Sequence, residues 1–146
     1  MKRASLTIIL MALLTPLAAF GNSQKNMSNK IANVLVPNRS PLVTFRIVFM
    51  TGAAADPKGK EGVAALTAAM LSQGGTAKMS YEQIVEAMYP MATSFGSQID
   101  KEMTVFTGTT HIDNLDKYYG LISQMLLDPG FRADDFTRLR TDATNF

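Results

Sequence analysis

One His, His111, and no Cys stand in a chain of 146 residues. Thiolate metal sites, cysteine nucleophiles and any centre that needs two imidazoles are therefore excluded at the outset. The carboxylates form no acid/base pair. Glu82 and Glu86 are four residues apart, which places both on one helical face as solvated charges, and Glu61 stands alone. His111 lies between a Thr-rich apolar stretch and a helical pattern, a position that suits a surface or capping residue. Arg46 interrupts an otherwise apolar strand pattern and must snorkel or meet an acid. The loop from Asp56 to Lys60 lacks the spacing of a phosphate cradle, and Gly74-Gly75-Thr76 has neither the Lys nor the preceding Gly of a P-loop. Tyr118-Tyr119 and the 10 Met residues suggest an adaptable recognition surface, but the Met positions fall largely on helical stripes and are assigned to the core.

The elements that would position such residues follow from composition and periodicity. A hydrophobic content of 47% with 18% charged residues suits one modest globular domain. The net charge of +2 is carried by Lys2 and Arg3, and the rest of the chain balances, so nothing points to a nucleic-acid partner. Those two cations open a leader over residues 1–21, with an apolar stretch from Leu6 to Leu14, a break at Pro16 and small residues three apart in Ala19-Phe20-Gly21. This is the layout of a secretory signal peptide, cleaved after Gly21, and the apolar stretch is shorter than the roughly 20 residues of a membrane span. The expected location is therefore outside the cytoplasm, with a bacterial periplasm suiting the absence of disulfides, and with no stable membrane span after cleavage. Residues 22–30 read as a flexible lead-in. Asn26-Met27-Ser28 and Asn38-Arg39-Ser40 match the glycosylation pattern, which is common by chance.

Ile31 to Pro37 reads as a short strand, closed by the turn cluster Pro37-Asn38-Arg39-Ser40-Pro41. Val43, Phe45, Ile47 and Phe49 alternate with more polar neighbours and predict a second strand, central in its sheet. From Glu61 the pattern turns helical, with Val63, Leu66 and Met70 on one stripe and Gly74-Gly75 as the stop. Ser80 with Gln83 makes a capping box for a second helix, ended by Pro90. Met91 to Ile99 and Met103 to Thr110 predict a hairpin turning at Asp100-Lys101. Asp113 is read as the cap of a third helix whose Leu115, Tyr118, Tyr119, Ile122, Met125 and Leu126 share a face, stopped by Pro129-Gly130. A fourth helix begins near Ala133, with Asp134 and Asp135 in its first turn and Phe136, Leu139 and Ala143 inward. The order ββααββαα predicts an α+β domain over residues 31–146, with helices covering an antiparallel-rich sheet.

Taken together and in order, several of these segments resemble the amino-terminal domain of the pitrilysin/insulinase family of zinc peptidases, which includes the mitochondrial processing peptidase subunits. The carriers are Val34-Leu35-Val36-Pro37, the strand running to Gly52, Asp56-Pro57 with Gly59, Gly62-Val63-Ala64, Gly74-Gly75-Thr76 and Ser80. The Phe95 to Phe106 hairpin and Pro129-Gly130-Phe131 with Asp135-Phe136 complete the set. In active members the helix after the first Gly bears His-x-x-Glu-His, whose imidazoles at i and i+4 bind zinc while the Glu at i+3 activates the metal-bound water. Those positions fall here on Ala65, Ala68 and Ala69.

The resemblance also implies a third ligand, a Glu, further along. It falls at Thr144-Asn145-Phe146, where Asp142 is the nearest carboxylate. Further strands are implied beyond Phe146, so the domain is expected to be incomplete at its carboxyl end. The implied setting is that of a peptidase without catalysis: no catalytic residues, no metal site and no cofactor. The expected role is that of a non-catalytic subunit that shapes a chamber and holds a peptide or protein substrate for a partner chain with an intact zinc motif. The alternatives are a stand-alone exported peptide-binding or structural protein of the same fold, and an enzyme using a different site. An alanine-rich helix also has a plain physical reading, since Ala has high helix propensity and lets a helix pack closely on a sheet.

Overall fold

Three strands line up in the order β1-β3-β2, both pairings antiparallel, in the computed structural model, which describes residues 31–145. β1 spans Leu42–Phe49, β2 Ser94–Ile99 and β3 Thr104–His111. Four helices accompany them: α1 (Val63–Gln73), α2 (Tyr81–Met88), α3 (Leu115–Leu127) and α4 (Ala133–Thr144). The leader expected over 1–21 and the lead-in over 22–30 lie outside the described residues. The chain divides after Val36, and the unit that holds the described strands and helices begins at Pro37. No helix among the described residues is long and apolar enough to cross a membrane.

The α+β class, the antiparallel sheet and the order of the remaining elements are as the periodicity predicts. Two expectations about the sheet are corrected. Residues 31–37 form no strand: the run is interrupted by Asn33 and closed by a Pro without an N–H. Among the described residues β1 is an edge strand and not the central one; β3 takes the centre because it alone of the described strands pairs on both sides. Arg46 consequently needs no acid, since it projects from β1 at an exposed position, opposite Thr107. On the same open face the hydroxyls of Thr44 and Thr109 meet at 3.1 Å.

The other face of the sheet carries the core. Ile84 of α2, Met91, and Tyr118, Leu121, Ile122 and Met125 of α3 form one buried cluster, flanked by Phe45 and Phe95 from the two edge strands. Each such side chain contributes roughly 1.5–3 kcal/mol on burial. Tyr119 is 71% exposed and leaves the predicted face of α3, its place taken by Leu121. Gly108 lies across from both Phe45 and Phe95. A Cβ there would collide with the Tyr118 hydroxyl oxygen and the Phe45 ring, so only glycine admits this aromatic packing.

The Tyr118 hydroxyl donates to the Ser94 carbonyl at 2.5 Å. Burial raises its phenol above the ordinary value, opposed by hydrogen bonding with Thr93. The folded state thus holds this proton to higher pH than the unfolded chain, whose phenol ionises near pH ~10. The resulting stability is complete below that pH and is lost as pH rises through the higher folded value. Tyr118→Phe is expected to flatten the alkaline limb of a stability-against-pH curve; an unchanged limb would show that this phenol is not the titrating group.

The helix starts show what the turn residues do. α1 begins after Gly62, which sits in the left-handed region at φ 92° and offers no side-chain cap. Asp56 supplies the cap from outside the helix, its carboxylate accepting from the N–H groups of Gly62 (2.6 Å) and Ala64 (2.9 Å). The Asp56–Lys60 loop is therefore a remote helix cap, and Asp56→Ala is expected to cost about 1 kcal/mol in urea unfolding, as other lost caps do. An effect indistinguishable from zero would remove Asp56 from that role. The Ser80–Gln83 capping box forms as predicted. Asp113, by contrast, is not the cap before α3. Its own N–H bonds to His111 Nδ1 at 3.3 Å, so His111 caps a short 3-10 turn that leads into the helix.

Candidate functional site

Ala65, Ala68 and Ala69 lie at i, i+3 and i+4 on α1, and one helical face does bring them together. Their environments differ. Ala68 is 4% exposed on the helix that lies over β2, and one turn later the Ser72 hydroxyl bonds both the Ala68 carbonyl and the Ser97 hydroxyl of β2, each at 2.9 Å. Ala is what lets the helix approach the sheet at this point. Ala65 is exposed and Ala69 half-buried, and both open onto a cleft between α1 and α4.

This cleft holds about 630 Å³ and has an apolar floor made by Val63, Leu66 and Ala69 of α1 with Phe136, Leu139 and Ala143 of α4. A smaller depression of about 370 Å³ lies against Phe136 and Phe131. Phe136 and Ala143, predicted inward, are exposed and line the cleft, whereas Leu139 is buried. Lys60, Glu61 and Arg140, all exposed, also line the cleft. The Arg140 guanidinium lies 5.7 Å from the centre of the Phe136 ring. Glu61 accepts from the Gly59 N–H at 3.0 Å, which holds its carboxyl below the usual range.

The two helices are pinned together at their other ends by a residue that the sequence presents only as a first-turn charge. Asp135 of α4 is buried, accepts from the Gly75 N–H at 2.8 Å and pairs with Arg138 at 2.8 Å. Arg138 donates in turn to the Gln73 carbonyl at 2.6 Å and lies 4.9 Å from the Tyr81 ring centre. Thr76 bridges to Pro129, and Gly130 N–H bonds to the Gly75 carbonyl at 2.8 Å. The Gly74-Gly75-Thr76 turn is thus the joint between α1 and the α3–α4 connection. The only hint in the sequence was an Asp three residues before an Arg on a helix start, a pattern shared by many exposed pairs.

β2 pairs with β3 on one side only, and no described strand occupies its other side. An edge beside α1 that is unpaired among the described residues can add an extended peptide through main-chain hydrogen bonds. The other candidate residues lie elsewhere. His111 is at the end of β3 as a cap, Glu82 and Glu86 are exposed on α2, and Asp142 is exposed on α4. Three methyl groups at 65, 68 and 69 offer no donor to a metal, and among the described residues no three His, Asp or Glu side chains converge.

The family model for Insulinase (Peptidase family M16) matches residues 31–145. No curated protein matches. Among solved structures, an inactive domain of peptidase M16 from Pseudomonas fluorescens is 26% identical with a TM-score of 0.65, covering 71% of this chain and 25% of its own. A protease from Helicobacter pylori has a TM-score of 0.66 at 16% identity, covering 75% of this chain and 26% of its own. Pitrilysin has a TM-score of 0.65 at 16% identity, covering 73% of this chain and 11% of its own. The chain spans about a quarter of the length of the first two.

Proposed function

We propose that this chain, which belongs to the insulinase family, peptidase family M16, is a non-catalytic element that holds an extended peptide or protein substrate along the free edge of β2. The observation that carries this reading is the α1 face. Where active members present metal donors and a general base, Ala68 is packed against the sheet and Ala65 and Ala69 open onto an apolar cleft. The zinc that the family implies finds no ligand in these residues, so they do not fit it, and no step performed by this chain runs through a metal. The similarity to a domain described as inactive supports the same reading. Chemistry is assigned to a separate exported chain with an intact His-x-x-Glu-His motif, and this chain reaches the same periplasm under its own leader over 1–21.

Edge pairing supplies the affinity in this scheme, and the substrate contributes its own backbone N–H groups. A labelled extended peptide is expected to bind the purified chain, and N-methylation of alternate backbone nitrogens is expected to weaken binding about tenfold or more, as lost main-chain hydrogen bonds would. The protein is expected to hold no stoichiometric zinc, to cleave no fluorogenic peptide alone, and to co-purify with an exported zinc peptidase. Chelator-sensitive cleavage by the isolated chain overturns the non-catalytic reading. Peptide binding without any co-purifying peptidase favours a stand-alone exported binding protein instead.

A further inference from the structure

We propose that the cleft between α1 and α4 is a pocket for the carboxyl-terminal residue of a bound peptide, taking a large apolar side chain on its floor and the terminal carboxylate at its rim. This deepens the peptide-holding reading above and rests on it. Apart from Lys60, Glu61, Arg140 and Thr144 the side chains lining the cleft are apolar, and its 630 Å³ is ample for a Phe or Leu side chain with part of its backbone. The charge at the rim selects the other half of the ligand. Two cations, Lys60 and Arg140, face a single carboxylate, that of Glu61, and the latter is already engaged by the Gly59 N–H. Among the described residues neither Lys60 nor Arg140 belongs to an ion pair. Arg140 rests over Phe136, which forms part of the floor, so its guanidinium stands where an apolar ligand would end.

Apolar body and adjacent anion occur on the same Cα only at a peptide's carboxyl terminus, which is why that occupant is chosen over an internal apolar residue. Asp56 already satisfies the N–H groups of Gly62 and Ala64, so the anion is assigned to the two side-chain cations and not to the start of α1.

The test uses the purified full chain and the amino-terminally labelled peptide Gly-Gly-Ser-Gly-Phe, read by fluorescence anisotropy. Binding is expected to weaken about tenfold or more when the final Phe is replaced by Gly, the equivalent of one buried apolar side chain. Amidating the carboxylate is expected to cost about two- to fivefold, as for an exposed ion pair. Arg140→Gln should shrink the difference between acid and amide, and Arg140→Gln together with Lys60→Gln should abolish it. Ala65→Trp, at an exposed position, should fill the cleft and lose binding while the thermal melt falls by only a few degrees, as helix propensity alone allows. Equal binding of the Phe, Gly and amide peptides, unaffected by Ala65→Trp but lost on backbone N-methylation, overturns the pocket and leaves the β2-edge reading standing. No binding of the peptide, whether or not dodecanoate binds, overturns the pocket and removes the edge reading with it.

Discussion

Asp135→Ala is expected to lower the unfolding free energy by about 3 kcal/mol, with a fall of about 15 °C in the melting temperature of a unit this size. The carboxylate is buried and holds both the Gly75 N–H and Arg138. Truncation leaves a buried N–H without an acceptor and strips Arg138 of its counter-charge. The loss sits at the low end for a broken buried pair because the Arg138 side chain is itself 36% exposed and stays partly hydrated. Asp135→Asn keeps an oxygen acceptor for Gly75 but not the ion pair, so about half the loss is expected. Calorimetry on the two variants checks both numbers. A melt of Asp135→Ala within about 2 °C of the parent would show that the joint between α1 and α4 is held by other contacts.

Ala68→Glu is the second large effect, expected at about 3 kcal/mol. The position is 4% exposed on the helix face over β2, where a carboxylate loses its hydration. Ala65→His and Ala69→His differ in kind. Position 65 is exposed and position 69 half-buried, both opening onto the cleft, so each is expected to cost about 0.5 kcal/mol, the difference in helix propensity. Restoring the whole His-x-x-Glu-His motif is therefore expected to yield a weakened fold and no peptidase, with the destabilisation traceable to the Glu. Urea unfolding of the three single variants and the triple variant tests this. A triple variant as stable as the parent and showing chelator-sensitive cleavage would mean that α1 stands further from β2 than the Ser72–Ser97 hydrogen bond requires.

Local patterns in this sequence decide local structure. The Ser80–Gln83 box, the Gly74-Gly75 stop and the hairpin over Asp100-Lys101 follow from side chains and backbone within a few residues of one another, and all form. The absence of metal donors at 65, 68 and 69 is likewise legible, because composition at three positions needs no geometry. Other features depend on residues distant in the chain. Alternation makes β1 a strand but is blind to which strand lies between the others, since that depends on the pairing of residues 42–49 with 104–111. Periodicity puts Tyr119 on the apolar stripe of α3, and the sheet's position then buries Leu121 in its place. Asp56 reads as a loop residue until the chain folds back and sets it at the start of α1.

The deepest division concerns the alanine face and Asp135. Three alanines are interchangeable in sequence, with one methyl each and the same propensity. Tertiary packing makes Ala68 a spacer against β2 and gives Ala65 and Ala69 a cleft with cations at its rim. Asp135 looks like its exposed neighbour Asp134, and only the return of α4 to the Gly75 N–H separates them. The sequence by itself determined the element types from Leu42 onward, the family-like order and the lack of metal donors at 65, 68 and 69, because each rests on residue identity or on interactions a few residues long. Tertiary structure alone decided strand position, the buried joint and the shape of the cleft, because burial and electrostatics are set by groups far apart in the chain that approach only when the core closes.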